Sequence, residues 1–481
     1  MTYLTKSSRL TPFICFFIVS AFFTGFSFAE EDAAKNPLRF WEGQNKSYLQ
    51  ATIKADLAYF SQSNSWFGEA KANLGESSDD WWESVVRPGI EGSYFFDQAG
   101  EIYGRFDAVQ ASTQNTDAAA SNNGQGNNSK IRVEESYLGW RSGNLFNSLD
   151  KDFLDISFGR QQYIAGNGFL FYTQSSNGDR RGGFWLGERH AAEYMGIVRL
   201  RQGSFAADAV YFKADDAPDT DTKLGGATLD YTFYKTTYKM EPIPRDQSQR
   251  GPRIGIGQIH FDRIQEKVAG IGGGAYYVDS DLDTRDQMMV YNIRADIQPF
   301  AAFDVLPALK GFHLEGEYVY QDTDDNDIGN GSGWYVQPSY QFDIPWKPSL
   351  TYRYASFDDD YDPLFYGFYD WGYWFQGEIL GNYVLTNSNL NSHLVKLNVK
   401  PVDSLSINLF YYNFRLDDAD SFGVDDKEYA DEIDFIVDYT YNDHLSFSAV
   451  GAWATPDDAA KQSTGGNDDW YYGMLYTSIS F

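Results

Sequence analysis

Through much of the chain apolar residues recur at every second position. Val395, Leu397 and Val399 alternate with Lys396, Asn398 and Lys400, and Leu405, Ile407, Leu409 and Tyr411 alternate with Ser404, Ser406 and Asn408. Ile433, Phe435, Val437, Tyr439 and Tyr441 oppose Glu432, Asp434, Asp438 and Thr440, while Leu445, Phe447, Ala449, Gly451 and Trp453 share one face. Earlier, Met289, Tyr291, Ile293, Ala295 and Ile297 oppose Asn292, Arg294 and Asp296, and Leu314, Gly316, Tyr318 and Tyr320 oppose Glu315 and Glu317. A period of two predicts strands with one apolar and one polar face. Each segment runs about 9–12 residues, the length a tilted strand needs to cross a bilayer, against about 5–6 in soluble sheets.

About eighteen such strands are expected, centred near residues 54, 91, 106, 136, 157, 196, 208, 229, 273, 293, 316, 338, 353, 396, 410, 437, 449 and 475. Their connections alternate between short (97–100, 202–203, 401–403, 442–443) and long (61–84, 112–129, 163–190, 357–391, 417–431, 456–468). This pattern predicts an all-β fold: a transmembrane antiparallel β-barrel with short periplasmic turns and long extracellular loops. Residues 235–267, with Pro242, Pro244 and Pro252, interrupt it; they read as a long periplasmic connection or as one more hairpin.

The ends agree with export. Lys6 and Arg9 precede an apolar run from Pro12 to Phe28 that closes on Ser27-Phe28-Ala29, the layout of a signal peptide over 1–29. The alternative, an N-terminal anchor helix, is disfavoured because the run is short and no stop-transfer pattern follows. A short periplasmic segment, 30–46, would lead into the barrel, 47–481, and is too brief for a plug domain. Cys15, the only cysteine, lies inside the expected signal. The last strand ends on the aromatic Phe481, which resembles the signal that barrels present to their insertion machinery.

Composition narrows the function. A net charge of −30 excludes a general nucleic-acid binder. No apolar run of about 18 residues follows the signal, which excludes a helical membrane protein. Aromatics reach 17 %, with 35 Tyr and 12 Trp, suiting the girdles at the two lipid–water boundaries. The expected partners are outer-membrane lipid, lipopolysaccharide and the insertion machinery, with no nucleic acid.

Some stretches resemble known barrels. Arg132-Val133-Glu134-Glu135-Ser136-Tyr137-Leu138-Gly139-Trp140, followed by Ile156-Ser157-Phe158-Gly159-Arg160-Gln161, is similar to the paired strands ending in Gly-Arg-Gln of porin-like barrels. Gly377-Glu378-Ile379-Leu380, Leu390-Asn391-Ser392-His393-Leu394, the strand 404–412 and Asp431-Glu432-Ile433-Asp434 resemble, in order and spacing, the alginate export family. That resemblance implies an eighteen-stranded outer-membrane barrel and a channel for export or diffusion of an anionic polysaccharide or its fragments. The family's exporter has a basic pore, whereas acids here crowd the loops, as at Asp215, Asp216, Asp219 and Asp221 or Asp358 to Asp360. A nutrient-uptake porin for oligosaccharides or other small anionic solutes is the second reading, and an adhesive barrel with a filled lumen the third.

In a barrel the inward face carries selectivity. Arg105, Arg160, Arg199, Arg294, Arg353 and Lys396, with Asp107, Asp230, Asp296, Glu315, Glu317 and Asp434, fall on or beside the polar face. They read either as a charged lumen guiding an anionic solute or as a ladder of ion pairs between strands. The loop 163–190 carries Arg180, Arg181 and Arg189 with Gly182-Gly183 and is expected to fold inward. Those arginines, with Arg160 and the strand arginines, would then line an anion-preferring constriction, because loop acids are screened beyond about 8 Å. The alternative is an ordinary exposed loop. Asp322-x-Asp324-x-Asn326 has the opening spacing of a Ca²⁺ loop, with Asp327 where glycine belongs; no other cofactor is expected. The chain has no Gly-x-Ser-x-Gly or His-Glu-x-x-His, its five histidines are scattered, and Gly270-x-Gly272 falls in a strand, so no enzyme is expected.

Overall fold

The computed structural model describes residues 37–43, 45–69, 77–115, 128–178, 181–242, 259–303, 306–323, 329–367 and 371–481. The expected signal peptide, Arg180 and the Asp324–Asp327 part of the calcium-like segment lie outside the described residues.

A short strand β1 (Arg39–Glu42) lies along β2 (Tyr48–Ser63). From there the strands are β3 (Ser78–Phe95), β4 (Glu101–Gln114), β5 (Asn128–Arg141), β6 (Leu154–Arg160), β7 (Tyr194–Gln202), β8 (Phe205–Lys213) and β9 (Lys223–Pro242). They continue as β10 (Ile259–Asp279), β11 (Met289–Ile297), β12 (Phe312–Asp322), β13 (Gly331–Gln341), β14 (Ser349–Phe357) and β15 (Leu390–Val402). The last four are β16 (Leu405–Arg415), β17 (Glu428–Asn442), β18 (Leu445–Pro456) and β19 (Trp470–Ser480). Each strand from β2 onward pairs antiparallel with the next, and β19 returns to β2 from Tyr471↔Ser63 to Ser480↔Lys54. Eighteen strands therefore close a ring without an edge. Every expected strand centre falls inside one of them.

Residues 235–267 correct the sequence reading. β9 runs on to Pro242 and β10 starts at Ile259, paired from Pro242↔Ile259 inward, so the described part of the stretch lengthens these two strands and the strand count stands. Pro242 only ends the ladder, a place where proline is tolerated.

The two faces are inverted relative to a soluble sheet. Ile293 (55 % exposed), Phe435 (49 %) and Leu475 (61 %) point outward, while Asn292, Glu432 and Asp434 are buried on the inner face. Such a surface suits a hydrocarbon solvent. The inner face is also partly aromatic: Phe60, Tyr276, Phe357, Phe414 and Trp470 are buried. Tyr276 packs on Phe171, Phe357 on Phe169 and Trp470 on Tyr383, and these three partners belong to two long connections, 161–193 and 358–389, on the same side of the barrel. Both connections fold into the lumen.

Candidate functional site: a lumen crossed by two loops

The first inward loop, 161–193, is gripped by carboxylates of the wall. Glu83 on β3, fully buried, accepts the backbone N–H groups of Phe184 (3.1 Å), Trp185 (2.9 Å) and Leu186 (2.9 Å). Glu134 on β5 accepts those of His190 (2.6 Å) and Ala191 (2.7 Å). A loop that leaves water must find partners for its backbone donors, and these inward glutamates supply them. Gly183 permits the approach. Its φ is +59°, a Cβ there would lie 2.9 Å from the Ala111 side chain, and its N–H donates to Thr113 Oγ1 (2.9 Å).

Arg181 and Arg189 correct the expectation of an arginine-lined constriction. Both are buried. Arg181 donates to Asp215 Oδ1 (2.8 Å), the Asp215 carbonyl (2.9 Å) and the Ser176 carbonyl (2.8 Å), and Arg189 donates to the Lys130 carbonyl (2.9 Å). A guanidinium has five donors and no acceptor, so among loop carbonyls it becomes a strut. His190, its Nδ1 2.6 Å from Thr173 Oγ1 and its ring edge-on to Tyr172, is pushed down to about 3 by loss of solvent and by Arg87 and Lys54.

The second loop, 358–389, uses the same grip with a different filling. Glu432 on β17 accepts the N–H groups of Ile379 (2.7 Å) and Leu380 (2.9 Å), and Asp434 accepts that of Glu378 (3.2 Å). Gly377, at φ +87°, leaves room for this: a Cβ would lie 2.7 Å from Glu432 Oε2. Trp374 covers the guanidinium of Arg353 at 4.6 Å, and Arg353 donates to the Tyr373 carbonyl (3.2 Å) and Gln376 Oε1 (3.3 Å). Arg353 is thus sealed behind the loop rather than facing the lumen, a second correction. Burial, with Asp434 and Asp438 nearby, holds the Glu378 carboxyl well above its ordinary value.

The loops meet across the lumen. Phe171 and Phe365 form a parallel bridge, Tyr172 N–H donates to the Phe365 carbonyl (2.7 Å), and Trp374 Nε1 donates to Asn167 Oδ1 (3.1 Å). Phe169 packs edge-on to Trp374 at 4.5 Å. Together they form one packed layer inside the barrel.

Of the strand arginines, Arg105, Arg160 and Arg199 sit in ion pairs along the wall. Arg105 reaches Asp107 (2.7 Å), Glu135 (3.0 Å) and Glu91 (3.4 Å); Arg160 reaches Asp215 (2.5 Å); Arg199 reaches Asp155 (4.0 Å). Arg87 and Arg141, which the sequence reading did not single out, complete the ladder with Asp107 (2.9 Å) and Glu135 (2.7 Å), and with Asp155 (3.4 Å). The gripping role of Glu83, Glu134 and Glu432 was missed too. Its signal is an acid on the inner face facing a connection that contains Gly-Gly or Gly-Glu.

The remaining candidates line two cavities on the short-turn side of the loop layer. One, ≈ 470 Å³, is lined by Asn167, Asp230, Arg294, Glu315, Glu317 and Tyr373, among others. Arg294 binds Asp230 there (2.6 and 2.8 Å), Glu317 accepts from Asn292 (2.7 Å), and Glu315 accepts from Tyr335 (2.7 Å) and Asn167. The other, ≈ 300 Å³, is lined by Gln337, Trp371, Tyr373, Lys396, Asn398 and Lys400, among others.

No family model matches the chain, and no curated protein matches it in sequence. Solved structures do. OccAB4 of Acinetobacter baumannii aligns over 93 % of this chain and 100 % of its own, with a TM-score of 0.54 and 10 % identity. OccK5 (OpdH) of Pseudomonas aeruginosa aligns over 90 % and 98 %, TM-score 0.53, 9 % identity. The fold is that of an outer-membrane porin. Pseudomonas aeruginosa OpdK, solved with vanillate, gives this porin fold a TM-score of 0.52 over 90 % and 98 % of the two chains at 11 % identity. The resemblance to the alginate export family reaches only as far as this porin-like barrel, since alternating strands share composition whatever they carry.

Proposed function

We propose that the chain is a bacterial outer-membrane channel for uptake of small polar solutes, carboxylates included, rather than an exporter of a polyuronate chain. One observation carries this reading: two connections, pinned to the wall and packed on each other through Phe171, Phe365, Phe169 and Trp374, cross the lumen. The space beside them includes cavities of ≈ 470 and ≈ 300 Å³. Pockets of about 300–1,000 Å³ hold single small molecules. OpdK, of similar fold, was solved with vanillate, a molecule on this scale.

Because Arg105, Arg160 and Arg199 are matched by carboxylates, that wall supports rigidity more than anion steering. Selectivity then rests with the two cavities. Liposome swelling with the purified protein tests the size reading. Glucose and acetate-sized anions should enter readily and a ten-residue oligouronate should not. Entry of the oligouronate at a comparable rate would overturn the proposal in favour of polymer passage.

A further inference from the structure

The larger cavity is lined by four acids and two bases: Asp230, Asp296, Glu315 and Glu317 against Lys267 and Arg294. The bases are spent on two of the acids. Arg294 turns to Asp230 (2.6 and 2.8 Å), although Glu317 is its cross-strand neighbour on β12, and Lys267 donates to Asp296 (2.8 Å), which His313 also meets (2.5 Å). Glu315 and Glu317, two residues apart on β12, make no ion pair among the described residues. Their partners are neutral: Tyr335 (2.7 Å), Asn167 and Gln337 (3.4 Å) donate to Glu315, and Asn292 (2.7 Å) donates to Glu317. Arg353, which feels the Glu315 charge, is sealed beneath Trp374 (4.6 Å) and pairs with neither. A carboxylate offers about four acceptor positions, and Glu317, only 5 % exposed, gives one of them to Asn292 through Oε1. Its Oε2 is left to the cavity. Gly166 of the first loop keeps that oxygen uncovered, since a Cβ there would lie 3.7 Å from it, and β10 brings only Gly270 and Gly272 to the inner face beside it.

Resting on the reading of the chain as a small-solute channel, we propose that the larger cavity is a binding site for a compact organic cation that carries its own N–H donors, a guanidinium or a primary ammonium, held between Glu315 and Glu317. Uncompensated carboxylates in a half-enclosed space are costly, and a cation that hydrogen-bonds to them offsets that cost. The spacing suits such a group. Alternate residues of a strand stand about 6.5–7 Å apart on one face, and the five N–H donors of a planar guanidinium point in enough directions to serve both carboxylates at once. A bare metal ion is served less well. It needs several oxygens around it, and among the described residues no group of three or more acidic, His or Cys side chains could hold one. The volume of ≈ 470 Å³ leaves room for the rest of a small molecule.

Single channels carrying potassium chloride in a planar bilayer test the site when ethylguanidinium, tetramethylammonium or ethylurea is added. Ethylguanidinium should reduce the current at about two- to fivefold lower concentration than tetramethylammonium, the worth of one solvent-screened ion pair. Tetramethylammonium senses the same field, that of the acidic loops included, but has no N–H to donate. Ethylurea, of nearly the same shape without the charge, should reduce the current least. Glu315→Gln with Glu317→Gln should bring ethylguanidinium to the level of tetramethylammonium, and Glu317→Gln alone should narrow the difference. Equal potency of the two cations in the unaltered protein, or an undiminished difference in either variant, would overturn the site while leaving the channel standing. Absence of conductance together with exclusion of glucose from liposomes would overturn the channel reading and the site with it.

Discussion

The two inward loops reach the same place by the same grip, and beyond the aromatic layer they share they are braced differently. Around 161–193 the brace is ionic: Arg181 and Arg160 converge on Asp215 at 2.8 and 2.5 Å, and Arg189 braces the backbone. Around 358–389 it is aromatic: Trp374 on Arg353, and Tyr383 against Trp470 (5.4 Å) and Trp185 (4.3 Å). Both still need wall carboxylates for their amides, Glu83 and Glu134 in one case, Glu432 and Asp434 in the other. Apolar packing fixes how well a loop fills the lumen, but it does not satisfy a backbone N–H, and that requirement falls on the wall in either environment.

The largest expected effect comes from removing a grip. Glu83→Ala strands three amides, each costing about 1–3 kcal/mol when buried and unpaired. We expect single-channel conductance to rise and protease to cut within 161–193, with the barrel still assembled, as read by β-sheet circular dichroism in detergent. Glu432→Ala should do the same for 358–389. If either variant instead loses the barrel, the grips support the wall and not the loops. Next comes the aromatic filling: Trp374→Ala should cost about 3–5 kcal/mol and loosen 358–389 with little change in protection of 184–191. Equal loosening of both loops would show that they move as one body.

The smallest effect should separate them by sign. His190 is held neutral in the first loop, at about 3 against an ordinary 6.5, so the free loop binds more protons than the tethered one between those values. Its contribution is complete above 6.5 and is lost as pH falls toward 3. Glu378 in the second loop is raised well above 4.5, so the tethered form binds the extra proton; its contribution is complete below 4.5 and is lost as pH rises. Hydrogen exchange should therefore show the first loop opening on acidification and the second on alkalinisation. His190→Gln and Glu378→Gln should each flatten one trend, and parallel trends in both loops would refute the assignment.

The barrel was legible because period two is a local property: each of β2 to β19 carries its own signal, and ring closure follows from their number and alternation. The site was legible only in its ingredients. Arg181, Arg189 and Arg353 could be picked out as inward or loop arginines, yet what each touches depends on Asp215, Lys130 and Trp374, which are 34, 59 and 21 positions away. One overlooked cue was available. Phe410, Tyr412 and Phe414 alternate with Leu409 and Tyr411, so β16 is apolar on both faces. A strand facing lipid outside and water inside has no use for that inner stack, spaced 6.2 and 5.4 Å; it marks where a loop lies. The extension of β9 and β10 was hidden for the opposite reason, since Pro242 at the end of β9 mimics a loop.

The grip also bears on how such a lumen changes over generations. Glu83, Glu134 and Glu432 hold main-chain N–H groups, which every residue except proline possesses. Provided Gly183 and Gly377 keep their positive φ, the intervening side chains are invisible to the anchors that place them. The loops are in this respect interchangeable inserts in a fixed frame. Drift can rewrite residues such as Tyr373, and with them what the lumen admits, without first having to reinvent how the loop is seated.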